Sequence, residues 1–383
     1  MKYVTLKDVC TINMGQSPDS DSYNDNGEGV PFFQGNADFG ERYPVTRKWC
    51  SAPTKMAAPE DILISVRAPI GAMNYAKEEC CIGRGLAALT PDKTKVSPKF
   101  IFWLLKGKNA ELNSKGTGST FKAIGRKVLE ETKVPDISLE KQLEHSETLE
   151  KIYAVIQHRK SELQMLDDLI KARFVEMFGD PVHSDKYGTR KLSSCVAEKT
   201  DMVDGPFGSQ VNTKIDYIAK GEIPVIRTVN VKKMSFSPVD LKYMTRKKYE
   251  TVIRSQVLPG DVILTKVGTI GNVCVFPDTY KEAVLSTTGS CRIRVDSSIV
   301  NTEFFAYNLL YLKSKLLEIA SAGVQPFLNM NHVKNIDILN VPLGKQTKFA
   351  DFVHQVDKSK VAVQKALDET QMLFDSLMQK YFG

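Results

Sequence analysis

No stretch of the 383 residues comes near the roughly 18 consecutive apolar residues that a membrane span requires, and the opening MKYVTLKDVC lacks the apolar core of a signal peptide. A cytoplasmic protein is the expectation. The seven cysteines, at 10, 50, 80, 81, 195, 274 and 291, are odd in number and show no C-x-x-C spacing, so they read as reduced thiols with neither zinc knuckle nor disulfide frame. Five histidines, at 145, 158, 183, 332 and 354, form no H-E-x-x-H or comparable metal spacing. There is no G-x-x-x-x-G-K-[ST] loop to cradle a triphosphate, and Asp240-Leu241-Lys242 is the lone fragment of a nuclease-like pattern. No metal site and no catalytic residue are expected in this chain.

What is present is repetition. PEDILISVRAPIG at 59–71 returns as PGDVILTKVGTIG at 259–271, with four of thirteen positions identical and four more conservatively exchanged. Each copy reads as a turn, a short β-rich apolar run and a Gly-closed turn, the pattern of a buried strand. Other matches keep the same order: VPFFQGN (30–36) with IPVIRTV (223–229), STFKAI (119–124) with QPFLNM (325–330), KVP (133–135) with NVP (340–342), EKQ (140–142) with GKQ (344–346), and MFG (177–179) with YFG (381–383). The separations stay between 193 and 207, so the chain is a tandem duplication of a unit of about two hundred residues. Hydrophobic residues at 42% and charged residues at 25% fit an ordinary globular protein, and the length fits two domains with connectors.

Between Ser138 and Phe178 there is neither Pro nor Gly, and apolar residues recur in three-four alternation at Leu149, Ile152, Ile156, Leu163, Leu166 and Ile170. The second copy places Val353, Val356, Val363, Leu367, Phe374 and Leu377 likewise. Such seams predict two long helices that pair as an antiparallel coiled coil. Arg159, Arg173 and Lys360 interrupt the seams, either as stems snorkelling outward or as register-setting positions. The register itself is ambiguous, because KQ and FG align the helices at a separation of 204 whereas QML at 164 and 371 pulls it to 207. The expected division is a first globular domain over 1–137, a long helix over 138–179, a second globular domain over 180–343 and a second long helix over 344–383. The fold class is α+β, two similar α/β domains joined by two helices with pseudo-two-fold symmetry.

The net charge of +7 is concentrated in the globular parts: residues 1–139 hold 19 basic against 16 acidic side chains and 179–343 hold 21 against 16. The first helix, by contrast, is net acidic. A basic excess of this size suits a phosphate backbone without proving one.

Taken together, the doubled phrases resemble the specificity subunit of type I restriction-modification systems over essentially the whole length. The resemblance rests on PEDILISVRAPIG with CIGRGLAAL (81–89) and GTGSTFKAI in the first half, on DGPFGSQ (204–210), PGDVILTKVGTIG and SAGVQPFLNMNHVKNIDI in the second, and on the VP and KQ entry and FG exit of each helix. It implies a non-catalytic subunit whose two recognition domains each read half of a bipartite double-stranded DNA site. The helices would set the spacer and dock two methyltransferase subunits, with two restriction subunits where cleavage accompanies modification. S-adenosylmethionine, ATP and Mg²⁺ would belong to those partners, which flip and methylate adenine. The absence of any Pro-Pro pair agrees, since an amino-methyltransferase carries Asn/Asp-Pro-Pro-aromatic.

Base edges are read by forked donors and acceptors, phosphates by Lys, Ser, Thr and backbone amides. On the turns beside the repeated strands the candidates are Gln34, Asn36, Arg42, Tyr43, Arg67, Arg84, Ser119, Thr120 and Lys122 in the first half. In the second they are Arg227, Asn230, Lys232, Lys233, Lys266, Thr269, Asn272, Gln325, Asn329 and Asn331. Each has a structural alternative: Arg67 on a turn carbonyl, Asn329 as a helix cap, Lys232 with Lys233 as a solvated edge. Matching positions differ, Gln34 against Arg227 and Arg67 against Val267, which predicts an asymmetric target. The competing reading is a coiled-coil scaffold whose globular repeats bind proteins; it would show no salt-sensitive DNA affinity.

Overall fold

The computed structural model describes residues 2–118, 122–183, 186–321 and 326–383, which leaves Ser119, Thr120 and Gln325 outside the described residues. The chain divides into two units, one formed by 1–162 with 363–383 and the other by 163–362, so each boundary falls inside a long helix.

In the first unit a four-stranded antiparallel sheet runs in the order Cys10–Met14, Leu86–Pro91, Ile62–Ser65, Met73–Tyr75. All four residues of Ile62–Ser65 are buried, as the unbroken apolar run predicts for an interior strand covered on both faces. A second sheet of five short strands pairs Val30–Phe33 in parallel with Cys80–Ile82. Phe33, Leu63, Cys80, Ile82 and Leu86 form the core between these strands.

The second unit repeats the plan. Its first sheet runs Met202–Asp204, Ser290–Ile293, Val262–Thr265, Val273–Val275, and its second pairs Ile223–Ile226 in parallel with Ala283–Leu285. The turn before the repeated strand needs a left-handed residue in both copies: Gly260 sits at φ +85°, and Glu60 takes φ +71° in its place.

A ten-residue helix follows the first sheet in each unit, Pro98–Gly107 and Thr302–Tyr311. Pro98 opens its helix where a proline's missing N–H costs nothing, and Asn301 caps the other through the Phe304 N–H at 3.1 Å. These helices seat the long ones, Leu139–Phe178 and Leu343–Phe382, each 40 residues and about 60 Å long at 1.5 Å per residue. In the first unit Trp103, fully buried, packs edge-on to Tyr153 and Phe374, while Phe100 meets Phe382. In the second, Phe174 stacks on Phe304, while Phe349 meets Phe174 and Phe178, and Phe178 meets Phe304, edge to face.

Within each unit the helical segments run in opposite directions. His145 stacks on Tyr381 at 3.8 Å and Arg159 reaches Ala366 and Thr370 in the first; Asp167 meets Lys360 at 2.8 Å in the second. All twelve seam residues named above are buried or half-buried. The seam also takes in Phe174, Phe178, Phe349 and Phe382. The register is 204: Gln142 and Gln346, Leu149 and Val353, Ile170 and Phe374, and Phe178 and Phe382 are each buried in both copies, whereas Met165 and Met372 of QML are 60% and 64% exposed. Arg159 and Lys360 do not snorkel. Arg159 donates to the Ala366 carbonyl and, at 2.6 Å, to Thr370 Oγ1, and Lys360 pairs with Asp167.

Candidate nucleic-acid interface

Five loops meet along one edge of the first unit, and main-chain bonds hold them there. The Val66 N–H donates to Gly85 and the Ile124 N–H to Val66, both at 2.9 Å, while Ala68 donates to Lys122 at 3.0 Å. Gly83 donates to Phe33, Gly85 to Gln34, and Gln16 to Ile82. The contacts leave no room for side chains at the crossings: a Cβ on Gly15 would lie 2.2 Å from the Gly83 carbonyl oxygen, and one on Gly85 2.3 Å from that of Gln34.

The second unit closes the same way. Lys266 N–H donates to Gly289 at 2.7 Å, Leu328 N–H to Lys266 at 2.9 Å and Ser286 N–H to Ile226 at 2.9 Å. Val267 bridges Phe327 as Arg67 bridges Ala123. Gly205 takes the role of Gly15: a Cβ there would lie 2.1 Å from the Thr287 carbonyl oxygen.

This edge gathers some of the candidate residues and not others. Gln34, Arg67, Arg84 and Lys122 lie on it, exposed, and their side chains make no hydrogen bond or ion pair among the described residues. Asn36, half-buried, begins the short turn that follows Gln34. In the second unit Arg227 lies at the Gln34 position, but its guanidinium is held 2.8 Å from the Asp240 carboxylate. Lys242 and then Arg227 keep that carboxyl down at about 2.

Two candidates are corrected by burial. Asn230 is completely buried; its side chain accepts from Arg227 N–H and donates to the Ser237 and Val239 carbonyls, so it shapes the turn and offers nothing to solvent. Lys266 is 2% exposed and its ammonium is paired with Asp204 at 3.2 Å. Neither can read a surface ligand.

Arg42, Tyr43, Lys232 and Lys233 lie instead on two matching hairpins, Phe39 bridging Pro44 and Val231 bridging Phe236. These turn toward the long helix of their own unit. Arg42 pairs with Glu150 at 3.2 Å and covers the Tyr75 ring, and Lys233 lies 3.9 Å from Asp167; Lys232 and Tyr43 are exposed. The Arg42 guanidinium borders a cavity of about 300 Å³ with Trp103, Lys106 and Tyr153, where burial lowers the Lys106 ammonium below its ordinary range.

Thr269 is exposed on the turn after Val262–Thr265, and Asn272, half-buried, donates to the Val231 carbonyl and accepts from Lys313. Asn329 caps the helix Met330–Lys334 through the His332 N–H at 2.8 Å, the structural alternative noted above, and Asn331 accepts from Asn335.

Apolar side chains that no sequence periodicity marks also stand on the second edge. Phe207 and Val229 are each 54% exposed and Phe327 43%. Phe207 stands inside DGPFGSQ, and its place between turn-forming glycines was the available signal.

The chain matches the family model described as type I restriction modification DNA specificity domain twice, over residues 1–165 and 205–370. It belongs to that family. A specificity subunit assigned to the type I restriction enzyme MjaX of Methanocaldococcus jannaschii is 44% identical over 156 residues, 41% of this chain and 37% of that relative, so the matched part spans well under half of it. The specificity subunit of the type I enzyme MjaIX from the same organism is 23% identical over 340 residues, covering 83% of this chain and 76% of the relative. The crystal structure of a type I restriction-modification S subunit from M. genitalium superposes with a TM-score of 0.58 at 15% identity, over 100% of this chain and 96% of that one, and shares the fold. Among the described residues no helix is long and apolar enough to cross a membrane, and no group of three His, Cys, Asp or Glu is placed to hold a metal ion.

Proposed function

We propose that this chain is the non-catalytic, DNA-reading subunit of a cytoplasmic type I restriction-modification complex. Recognition falls to 1–137 and 180–343, each reading one half of a split, asymmetric duplex site. The helices of 138–179 and 344–383 pair as an antiparallel coiled coil with pseudo-two-fold symmetry, set the spacer and dock two methyltransferase subunits, joined by two restriction subunits where cleavage occurs. S-adenosylmethionine, ATP and Mg²⁺ act in those partners, whose target adenine must leave the stack to be methylated.

One observation carries the reading: both units build the same loop edge with the same main-chain bonds, yet present different side chains on it. A repeated frame with divergent exposed residues suits two related tasks on two different sequences. Phosphate contacts by the basic residues would position the duplex, and base-edge contacts would specify it.

The test is single-molecule sequencing of DNA from methylation-free cells that co-express this chain with its methyltransferase. N6-methyladenine at one split, asymmetric motif, absent without this chain, is the expected result. Its absence despite an assembled, active methyltransferase would leave the protein-binding scaffold as the better reading.

A further inference from the structure

We propose that the two loop edges read different base chemistry: the first through the guanidiniums of Arg67 and Arg84 on guanine, the second through Phe207, Val229 and Phe327 on thymine methyl groups. This rests on the DNA-reading function above and assigns the kind of base each half-site must contain.

The repeated main-chain bonds and bridges let the edges be compared position by position. Arg67 follows the buried strand Ile62–Ser65 and its counterpart after Val262–Thr265 is Val267, each bridged to the loop opposite. Arg84 lies between Gly83 and Gly85, and the matching loop carries Thr287 and Thr288. Lys122 precedes Ala123, and Pro326 precedes Phe327.

Cations at the second edge are held by carboxylates of the same unit: Arg227 by Asp240, and Lys266 and Arg254 by Asp204, the latter at 3.5 Å. At the first edge Arg67 and Arg84 have no such partner among the described residues. An arginine fork finds two acceptors at once on the major-groove edge of guanine, at O6 and N7, and on no other base. Both arginines stand on loops whose main chain is clamped by the Val66 to Gly85 bond, so little freedom is lost on docking.

The second edge has exchanged charge for apolar surface. Phe207, Val229 and Phe327 are large side chains about half exposed on loops that the Gly205, Gly289 and Val267 contacts bring against one another. The one apolar feature in the major groove is the C5 methyl of thymine. With Arg227, Arg254 and Lys266 tied to carboxylates and three apolar side chains exposed among the described residues, this surface matches the thymine methyl better than the guanine edge.

The experiment uses the assembled complex with its methyltransferase. Methylation mapping first gives the motif, and the half that relaxes in Arg67→Gln is the one read by the first unit. Duplexes are then made with 7-deazaguanine in that half, which removes N7, and with deoxyuridine for thymine in the other, which removes the methyl. Binding is compared at fixed salt.

We expect 7-deazaguanine to weaken binding roughly tenfold, and the loss to vanish in Arg67→Gln or Arg84→Gln. Deoxyuridine should weaken it roughly fourfold, the worth of one buried methyl group, and the loss should vanish in Phe207→Ala or Phe327→Ala. Equal binding of wild-type complex to the deoxyuridine duplex overturns the thymine assignment, whatever the variants do, and leaves the apolar edge to a protein partner. A first half-site without guanine, or an Arg67→Gln loss that is uniform over all sequences with a shallower salt slope, overturns the guanine assignment in favour of phosphate contact. If no methylated motif arises at all, the function above fails and this assignment with it.

Discussion

The side-chain oxygen of Gln142 accepts the backbone N–H of Ser97 at 2.9 Å, closing the start of the short helix Pro98–Gly107 with a residue from the long one. Gln346 does the same for Asn301 at 2.8 Å, 204 residues later. Both glutamines are almost fully buried, and their amide nitrogens donate to the Ile137 and Val341 carbonyls. The KQ phrase at each helix entry is thus a splice between sheet domain and helix. Gln142→Leu and Gln346→Leu should each cost about 1 to 3 kcal/mol by stranding a buried N–H, read as a lowered midpoint in thermal unfolding, with the methylated motif unchanged.

The contact of Arg159 with Ala366 and Thr370 predicts that Arg159→Met destabilises the first unit although it adds apolar surface to a seam. About 1.5 to 3 kcal/mol is the range for a hydrogen bond to a charged group. Denaturant unfolding checks it, and a stabilised variant would mean that the arginine only snorkels.

Lys360 and Asp167 are each about one-third exposed, so solvent screens their attraction. A double-mutant cycle with Lys360→Met and Asp167→Asn should give a coupling of only about 0.5 to 1 kcal/mol.

Lys266 and Asp204 behave differently because the ammonium is buried. Asp204→Asn leaves a charge inside the second unit with no carboxylate, at a cost of about 3 to 5 kcal/mol. Lys266→Met with Asp204→Asn should recover most of that loss. Urea unfolding of the single and double variants decides it.

Glu303, on the helix Thr302–Tyr311, has its carboxyl pushed up from 4.5 by burial, with Asp357 adding to the shift and His354 opposing it. A raised carboxyl holds its proton in the folded state after the unfolded chain has lost it. Its ionisation therefore destabilises the second unit increasingly as pH climbs above 4.5. Glu303→Gln should be more stable than wild type at pH 7 and show no gain at pH 4, measured by thermal unfolding across that range.

Much of this was readable in advance because burial imprints itself on periodicity. The apolar runs at 62–65 and 262–265 form buried strands, and the three-four seams lie on the helices Leu139–Phe178 and Leu343–Phe382. Single polar residues carry no such imprint. Nothing in the string separates Lys266, inside the unit, from Lys122, on its rim; the difference is Asp204, 62 residues away in sequence. Arg42 and Arg67 likewise look alike until the hairpin carries one to Glu150 and the bridge to Ala123 holds the other at the edge. The QML coincidence left the register open for a related reason: both methionines are exposed, so no packing ties them to a common register.

The clamp between Val66 and Gly85, and its twin between Lys266 and Gly289, runs from main chain to main chain. Side chains at 34, 67, 84 and 122 project from that frame without supporting it. Frame and rim are therefore uncoupled: a substitution at any of these four positions changes the chemistry exposed on the edge and leaves the bonds that hold the loops together as they are.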